Sequence, residues 1–348
     1  MPVETEKTVD IVINGQAVKA SPGQNVLEAA EAAGIYIPTL CYHPMLSPAG
    51  SCRLCVVEVK GIRGLPAACT TQVKPGMVIN TETARVQEFR RGILEGIIRQ
   101  HPRDCLTCGE NLRCELQKVV NHVQPGNVPF TPAAPKLKDV GPFFTRDYNL
   151  CVNCSRCVRA CQEVRGSKAL YFLHDDHGLH VGTPLNAELI AAGCQNCGAC
   201  VDICPTGALQ SKAQAGLPDR IVKTICPYCG VGCQLILEIK NNRIMQAVPD
   251  RDGPANHGQA CVKGHFGIPD FVHSPDRLTK PLIKQDNGFK EASWEEALTL
   301  VAEKLKQYQP DEVAFIASAK CTNEDNYVMQ KLARAVLGTN NIDHCARL

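Results

Sequence analysis

No run of 18 apolar residues occurs anywhere in the 348-residue sequence, so no segment is expected to cross a bilayer as a helix. A secretory leader is missing as well. The N-terminus, Met1-Pro-Val-Glu-Thr-Glu-Lys7, is charged and runs into a β-prone segment, and the arginine pair Arg90-Arg91 is internal, so neither Sec nor twin-arginine export is expected. Net charge is scarce too. With 37 Lys and Arg against 35 Asp and Glu, the formal charge of +2 carries no basic excess of the kind nucleic-acid binding leaves. Together these absences predict a cytoplasmic protein with no membrane span and no nucleic-acid partner.

What the sequence holds in quantity is cysteine, 21 in all. Such density in a short secreted domain would mean disulfides, but the spacings here are ligand spacings. Two stretches organise the rest: Cys151-Val-Asn-Cys154-Ser-Arg-Cys157-Val-Arg-Ala-Cys161 and Cys194-Gln-Asn-Cys197-Gly-Ala-Cys200-Val-Asp-Ile-Cys204-Pro205, each reading C-x2-C-x2-C-x3-C. Zinc sites usually present cysteines as two separated pairs. Three closely spaced thiolates instead wrap the corner of a cubane cluster, and the doubled spacing resembles the run in bacterial ferredoxins. That resemblance implies two [4Fe-4S] clusters with the fourth cysteine exchanged between halves. Cys151, Cys154, Cys157 and Cys204 would hold one cluster, and Cys194, Cys197, Cys200 and Cys161 the other. Small modules bury little apolar surface, so each cluster is expected to form part of its module's core.

Upstream, two β-prone runs flank Asn14-Gly15, a hairpin signal. A helix is expected over Val26 to Ala33, with Asn25 as N-cap and Gly34 as its stop. Cys41, Cys52, Cys55 and Cys69 follow as C-x10-C-x2-C-x13-C, which departs from the plant-type spacing and leaves zinc as an alternative on spacing alone. The pattern resembles the [2Fe-2S] domain that opens the large iron–sulfur subunit of respiratory complex I. A helical stretch from Thr83 to Arg99 then delivers His101, Cys105, Cys108 and Cys114. Three cysteines are one ligand short of a cluster, a neutral imidazole could supply the fourth, and H-x3-C-x2-C-x5-C resembles the histidine-ligated [4Fe-4S] module of the same relatives.

Residues 124–142, with five prolines, read as an extended connection. Tyr171, Phe172 and Leu173, inside an insertion in the doubled motif, read as strand core. Downstream, Cys226, Cys229, Cys233 and Cys261 make C-x2-C-x3-C-x27-C ending in Cys-Val-Lys-Gly. This resembles the N-terminal [4Fe-4S] domain of molybdopterin oxidoreductases, and implies that Lys263 lies between cluster and pterin. A capping box at Ser293–Glu296 predicts a helix to about Tyr308, followed by a strand over Val313–Ala317 and a helix from Asn326 to Leu337 stopped by Gly338. Strand alternating with helix suggests the opening of an α/β domain. Cys321 and Cys345 stand outside every ligand set and read as buried or pterin-adjacent thiols.

The expected architecture is therefore α+β and multi-modular. It comprises a β-grasp [2Fe-2S] ferredoxin over residues 8–82, a [4Fe-4S] module ligated by one His and three Cys over 83–123, and a linker over 124–142. A bacterial-type 2[4Fe-4S] ferredoxin over 143–215, a molybdopterin-oxidoreductase [4Fe-4S] domain over 220–275 and an incomplete α/β pterin-binding domain over 276–348 complete it. This order resembles the N-terminal part of the alpha subunit of cytoplasmic molybdenum or tungsten formate dehydrogenases, most specifically in the tail from Cys321 to Leu348.

In that family the next residue is the cysteine or selenocysteine that binds the metal. The resemblance implies that the sequence stops just short of it, at a selenocysteine codon, with no catalytic residue inside the chain and no formate oxidation by it alone. It further implies one [2Fe-2S] cluster, four [4Fe-4S] clusters and, in the complete protein, molybdopterin guanine dinucleotide with Mo or W. Formate would give CO2 and two electrons, passed to NAD(P) or ferredoxin through flavin-containing iron–sulfur partner subunits. The alternative is a non-catalytic electron-relay subunit of a bifurcating hydrogenase, transhydrogenase or complex I-like assembly.

Overall fold

A computed structural model describes residues 8–132, 138–175, 178–212 and 216–345. The chain divides into two compact units, Met1–Leu217 and Pro218–Leu348.

The first unit opens with the hairpin of β1 (Val9–Ile13) and β2 (Gln16–Ala20). Asn14 at φ 51° and Gly15 at φ 82° supply the two left-handed residues that such a tight turn requires. Helix α1 (Val26–Ala32) begins at Asn25, whose side chain accepts from the Glu28 N–H while the Glu28 carboxylate accepts from the Asn25 N–H. It is followed by Gly34 at φ 74°. Strands β3 (Glu58–Val59) and β4 (Val78–Asn80) complete a sheet of order β2-β1-β4-β3, with β1 and β4 parallel, as in a β-grasp. Its core joins Ile11, Ile13, Val57 and Ile79 to the buried face of α1.

Helix α2 (Ala84–Ile98), capped by Thr83, packs on α3 (Glu115–Val123) through Leu94, Leu116 and Val119. The connection at 124–142 ends in regular structure. Strand β5 (Lys138–Val140) pairs antiparallel with β6 (Phe144–Asp147), while residues 133–137 of the proline-rich part lie outside the described residues. Beyond it lie two short helices, α4 (Arg156–Arg159), which widens into a π-turn over Ala160–Val164, and α5 (Ala199–Asp202), separated by the hairpin of β7 (Tyr171–Asp175) and β8 (Gly178–Gly182). Strand β9 (Leu209–Ser211) returns to pair with β6. Tyr171, Phe172 and Leu173 do form a strand, but Tyr171 is exposed. Phe172 and Leu173 are half-buried, and the hairpin is buried at its base, at Val181 and at Ala169 and Leu170, which precede it in sequence.

The second unit begins with the meander of β10 (Arg220–Ile225), β11 (Gln234–Lys240) and β12 (Arg243–Pro249). Helix α6 (Val262–His273) packs against it, with Cys226, Leu235, Ala247, Ala260 and Ile268 as the core. The hairpin of β13 (Leu282–Gln285) and β14 (Gly288–Glu291) leads to α7 (Trp294–Leu305), which starts at the expected Ser293–Glu296 capping box and ends before Tyr308. Strand β15 (Phe315–Ala317), α8 (Asn323–Lys331) and β16 (Ile342–His344) form a parallel β-α-β unit. Helix α8 starts three residues before the expected Asn326 because Thr322 accepts from the Asp325 N–H. It widens into a π-turn over Leu332–Val336 and stops at Gly338, φ 67°. No described helix is long and apolar enough to cross a membrane.

Candidate metal centres

The loops that carry Cys41, Cys52, Cys55 and Cys69 project from the β-grasp sheet, and three of these thiols are buried while Cys52 is half-buried. Cys41 interacts electrostatically with the Cys52 and Cys69 side chains, and Cys55 with Cys69, so the four thiols lie near one another. The neighbouring thiols hold Cys41 and Cys55 below the ordinary thiol range and push Cys52 and Cys69 above it. Backbone donors are aimed at the sulfurs: the Leu40 N–H reaches Cys52 Sγ and the Cys52 N–H reaches Cys41 Sγ, each at 3.5 Å. Arg53 takes φ 58°, a conformation that bulky residues rarely adopt and that local packing must sustain.

The second group is less closed. Cys105 and Cys108 share one turn, closed by the Cys108 N–H on Cys105 O at 3.2 Å. Cys114 lies within electrostatic range of Cys108, and burial pushes its thiol up to about 11. His101 Nδ1 is buried without a partner, and burial lowers the ring's pKa, favouring the neutral imidazole a metal would need. The ring makes no hydrogen bond to the three thiols among the described residues. It lines instead a cavity of about 540 Å³ together with Cys52 and Cys151.

In the doubled motif the eight cysteines sort into two sets. One small cavity is lined by Cys151, Cys154, Cys157 and Cys204, the other by Cys161, Cys194, Cys197 and Cys200, so the last cysteine of each run crosses over. The two loops repeat their backbone: Asn153 and Ser155 sit at φ 52° and 67°, Asn196 and Gly198 at φ 50° and 82°. The Asn153 N–H reaches Cys151 Sγ and the Asn196 N–H reaches Cys194 Sγ, both at 3.4 Å, and the Ala169 N–H reaches Cys161 Sγ at 3.2 Å. Burial pushes Cys154 up to about 12 and Cys204 up to about 11, and raises Cys157 and Cys200 as well. Packed thiols with raised pKa values stay protonated at neutral pH unless a cation draws the protons off. Four thiols converging on each small cavity, with no carboxylate or imidazole among its lining residues, fit an iron–sulfur cluster.

In the second unit Cys226 is buried, Cys229 and Cys233 are half-buried, and Cys261 is exposed at the N-cap of α6. Cys226 lies within electrostatic range of Cys229 and Cys261, and Cys233 of all three. The Cys226 N–H bonds Cys233 O at 2.8 Å, and a Cβ on Gly264 would lie 3.6 Å from Cys226 Sγ. Lys263 is exposed in the first turn of α6, two residues after Cys261. Cys345 is not a buried thiol: it is exposed and lies 3.3 Å from the Ser318 hydroxyl, which lowers its pKa, while Cys321 is half-buried.

Residues that no spacing pattern marks tie the first unit's centres together. Arg156, beside Cys157, is buried and makes a bidentate pair with Glu115, beside Cys114, at 2.6 and 2.7 Å. Arg159 donates to Cys41 O and Ser47 O, and the Glu163 carboxylate accepts from the Ser47 N–H at 2.9 Å. Gln210 Nε2 lies 3.6 Å from Cys108 Sγ. A cysteine neighbour could have drawn the eye to Arg156 and Arg159; Gln210 carries no sequence signal.

Known families match along the chain. A 2Fe-2S iron–sulfur cluster binding domain covers residues 6–84, an NADH-ubiquinone oxidoreductase-G iron–sulfur binding region 90–129, and an NADH-quinone oxidoreductase subunit 3 ferredoxin-like domain 141–210. A molybdopterin oxidoreductase Fe4S4 domain covers 219–273 and a molybdopterin oxidoreductase domain 277–348. A G-type subunit of the NADH-quinone oxidoreductase of Rhizobium meliloti is 38% identical over 97% of this chain and 40% of its own length. A Staphylococcus aureus protein named "Putative formate dehydrogenase SAB2186c" is 31% identical over 97% of this chain and 39% of its own. The chain thus spans about two fifths of these relatives. Among solved structures, an NAD+-reducing [NiFe]-hydrogenase in the H2-reduced state contains a chain 31% identical, with a TM-score of 0.53, over 59% of this chain and 88% of that one. The iron–sulfur and molybdopterin oxidoreductase domains, matched in this order, make the chain similar to the N-terminal region of the G-type subunits of NADH-quinone oxidoreductase and of formate dehydrogenase-like molybdopterin oxidoreductases.

Proposed function

We propose that this chain is the iron–sulfur electron-transfer portion of a formate dehydrogenase alpha subunit, in which formate gives CO2 and two electrons destined for NAD(P) or ferredoxin by way of flavin-containing partners. The observation that carries the reading is the crossed sorting of eight cysteines into two sulfur-lined cavities. When bound, iron–sulfur clusters take up and release single electrons.

The chain's own groups would hold and tune them. Cys41, Cys52, Cys55 and Cys69 would hold a [2Fe-2S] cluster. Four [4Fe-4S] clusters would fall to His101 with Cys105, Cys108 and Cys114, to the two crossed sets, and to Cys226, Cys229, Cys233 and Cys261. Backbone N–H groups aimed at the sulfurs of Cys52, Cys151 and Cys194 would raise the potentials. Lys263, exposed beside Cys261, would place a cation between the last cluster and a pterin guanine dinucleotide bearing Mo or W.

Anaerobic reconstitution of the 348-residue chain, with iron, acid-labile sulfide and zinc all measured, tests the reading. One [2Fe-2S] and four [4Fe-4S] signals are expected, with no formate-dependent dye reduction by this chain alone. Zinc in place of iron and sulfide overturns it. A second reading, a relay subunit without catalysis of its own, is favoured by the hydrogenase likeness, which covers 59% of this chain. Mo or W in the complete protein, with formate oxidation, decides against that one.

A further inference from the structure

Arg90 is 1% exposed, in the middle of α2 and outside every cysteine motif. Its Nε donates to Leu54 O at 3.0 Å and one terminal nitrogen donates to Val56 O at 2.9 Å, so the guanidinium grips the two carbonyls that bracket Cys55. The other terminal nitrogen meets Glu82 at 2.9 Å. A buried cation is costly to keep unless it is paired and fully hydrogen-bonded, yet two of this one's three partners are neutral carbonyls. Glu82, the charged partner, is 42% exposed on its side chain, where water screens its charge more than that of Arg90. His122 also faces Glu82, at 3.7 Å. An uncompensated part of the cation's field is therefore left beside the Cys55 loop.

From this geometry, and resting on the assignment of Cys41, Cys52, Cys55 and Cys69 to a [2Fe-2S] cluster, we infer that Arg90 is a positioning and potential-setting residue for that cluster. Reduction adds one negative charge to the cluster, and a fixed cation held beside it favours the reduced state. The attraction between Arg90 and an ionised Cys55 has the same sign. A fork across two carbonyls also fixes the peptides on either side of Cys55, which a point-charge ammonium would do less well.

The test is a potentiometric titration of the [2Fe-2S] spectroscopic signal in the full chain, with Arg90→Gln, Arg90→Lys and Glu82→Gln variants. Arg90→Gln should lower the midpoint so that, at the wild-type midpoint, the oxidised-to-reduced ratio rises about tenfold, which for one electron is about 59 mV. Arg90→Lys should restore most of that shift. Glu82→Gln, at a half-exposed site whose amide oxygen still accepts from Arg90, should move the midpoint the opposite way, and it decides the matter if Arg90→Gln does not fold. Signals from the other clusters should stay in place. An unchanged [2Fe-2S] midpoint in Glu82→Gln, or in a folded, iron-replete Arg90→Gln, overturns the inference. A wild-type chain with no [2Fe-2S] signal overturns the cluster assignment instead.

Discussion

Single residues around the sulfurs are placed with little tolerance. Gly207 has an ordinary backbone conformation, but a Cβ there would lie 2.7 Å from Cys108 Sγ and 3.1 Å from Leu150 Cδ1, and would also strike the Gln210 amide. Gly207→Ala is expected to destabilise the first unit by about 1–3 kcal/mol, as overpacking does, and to lower iron retention at the Cys108 site; denaturant melts with iron analysis check both. Glu115→Ala strands the Arg156 guanidinium, whose side chain is 3% exposed. Because Glu115 is itself 39% exposed, we expect a loss of about 2 kcal/mol by the same melts rather than the 3–5 kcal/mol of a fully buried pair. Thiol acidity sets a third expectation. Cys154 at about 12 and Cys204 at about 11 must lose protons to bind iron, so iron uptake should strengthen as pH rises from about 6 to 9, read by titration against a competing chelator. The cysteines were legible because a cluster imposes short spacings on the chain that wraps it. Arg90 and Gln210 were not, because each meets its target from a distant part of the sequence and nothing local to it depends on the metal.

Elements differ in what supports them. The β-grasp has an apolar core of its own, from Ile11 to Ile79, around the sheet and α1. The doubled module has only short helices, α4 and α5, and its buried residues include the candidate ligands Cys154 and Cys157 along with Phe144, Val158, Leu170 and Leu209. Removing iron with a chelator should therefore expose residues 138–212 to protease while residues 8–82 remain resistant, an order of cleavage that mass mapping of the fragments resolves. The hairpin turn, the α1 cap and the α7 capping box were all readable, since a φ-permissive pair or a side chain facing its own helix end is a local matter. Strand β5 was not: its partner β6 decides its conformation, and proline density nearby suggested only an extended path. The exposure of Tyr171 was hidden for the same reason, because a β-prone run does not say whether anything covers it.

At the scale of the molecule, the two units present unlike surfaces. In the second, Trp294, Leu298, Val301, Ile316, Val328 and Val336 are all exposed, on α7, β15, α8 and the turn that follows it. Apolar residues at this density on neighbouring elements favour association. Chains ending at residue 275 should thus stay monodisperse at concentrations where the full chain associates, as light scattering would report. The order of modules was legible from the motifs alone; the division into Met1–Leu217 and Pro218–Leu348 was not, since it depends on which modules grip one another. Arg159 shows where one such grip came from. In the first loop of the doubled motif Ser155 holds the left-handed position that Gly198 holds in the second, and its hydroxyl accepts from Arg159 Nε at 3.0 Å. Two turns of like backbone therefore differ in what they carry: the one with a side chain steadies Arg159, which also donates to Cys41 O and Ser47 O, whereas the glycine of the other has no side chain to lend. Exchanging the two turns should leave each able to bind iron and yet unfasten the assembly.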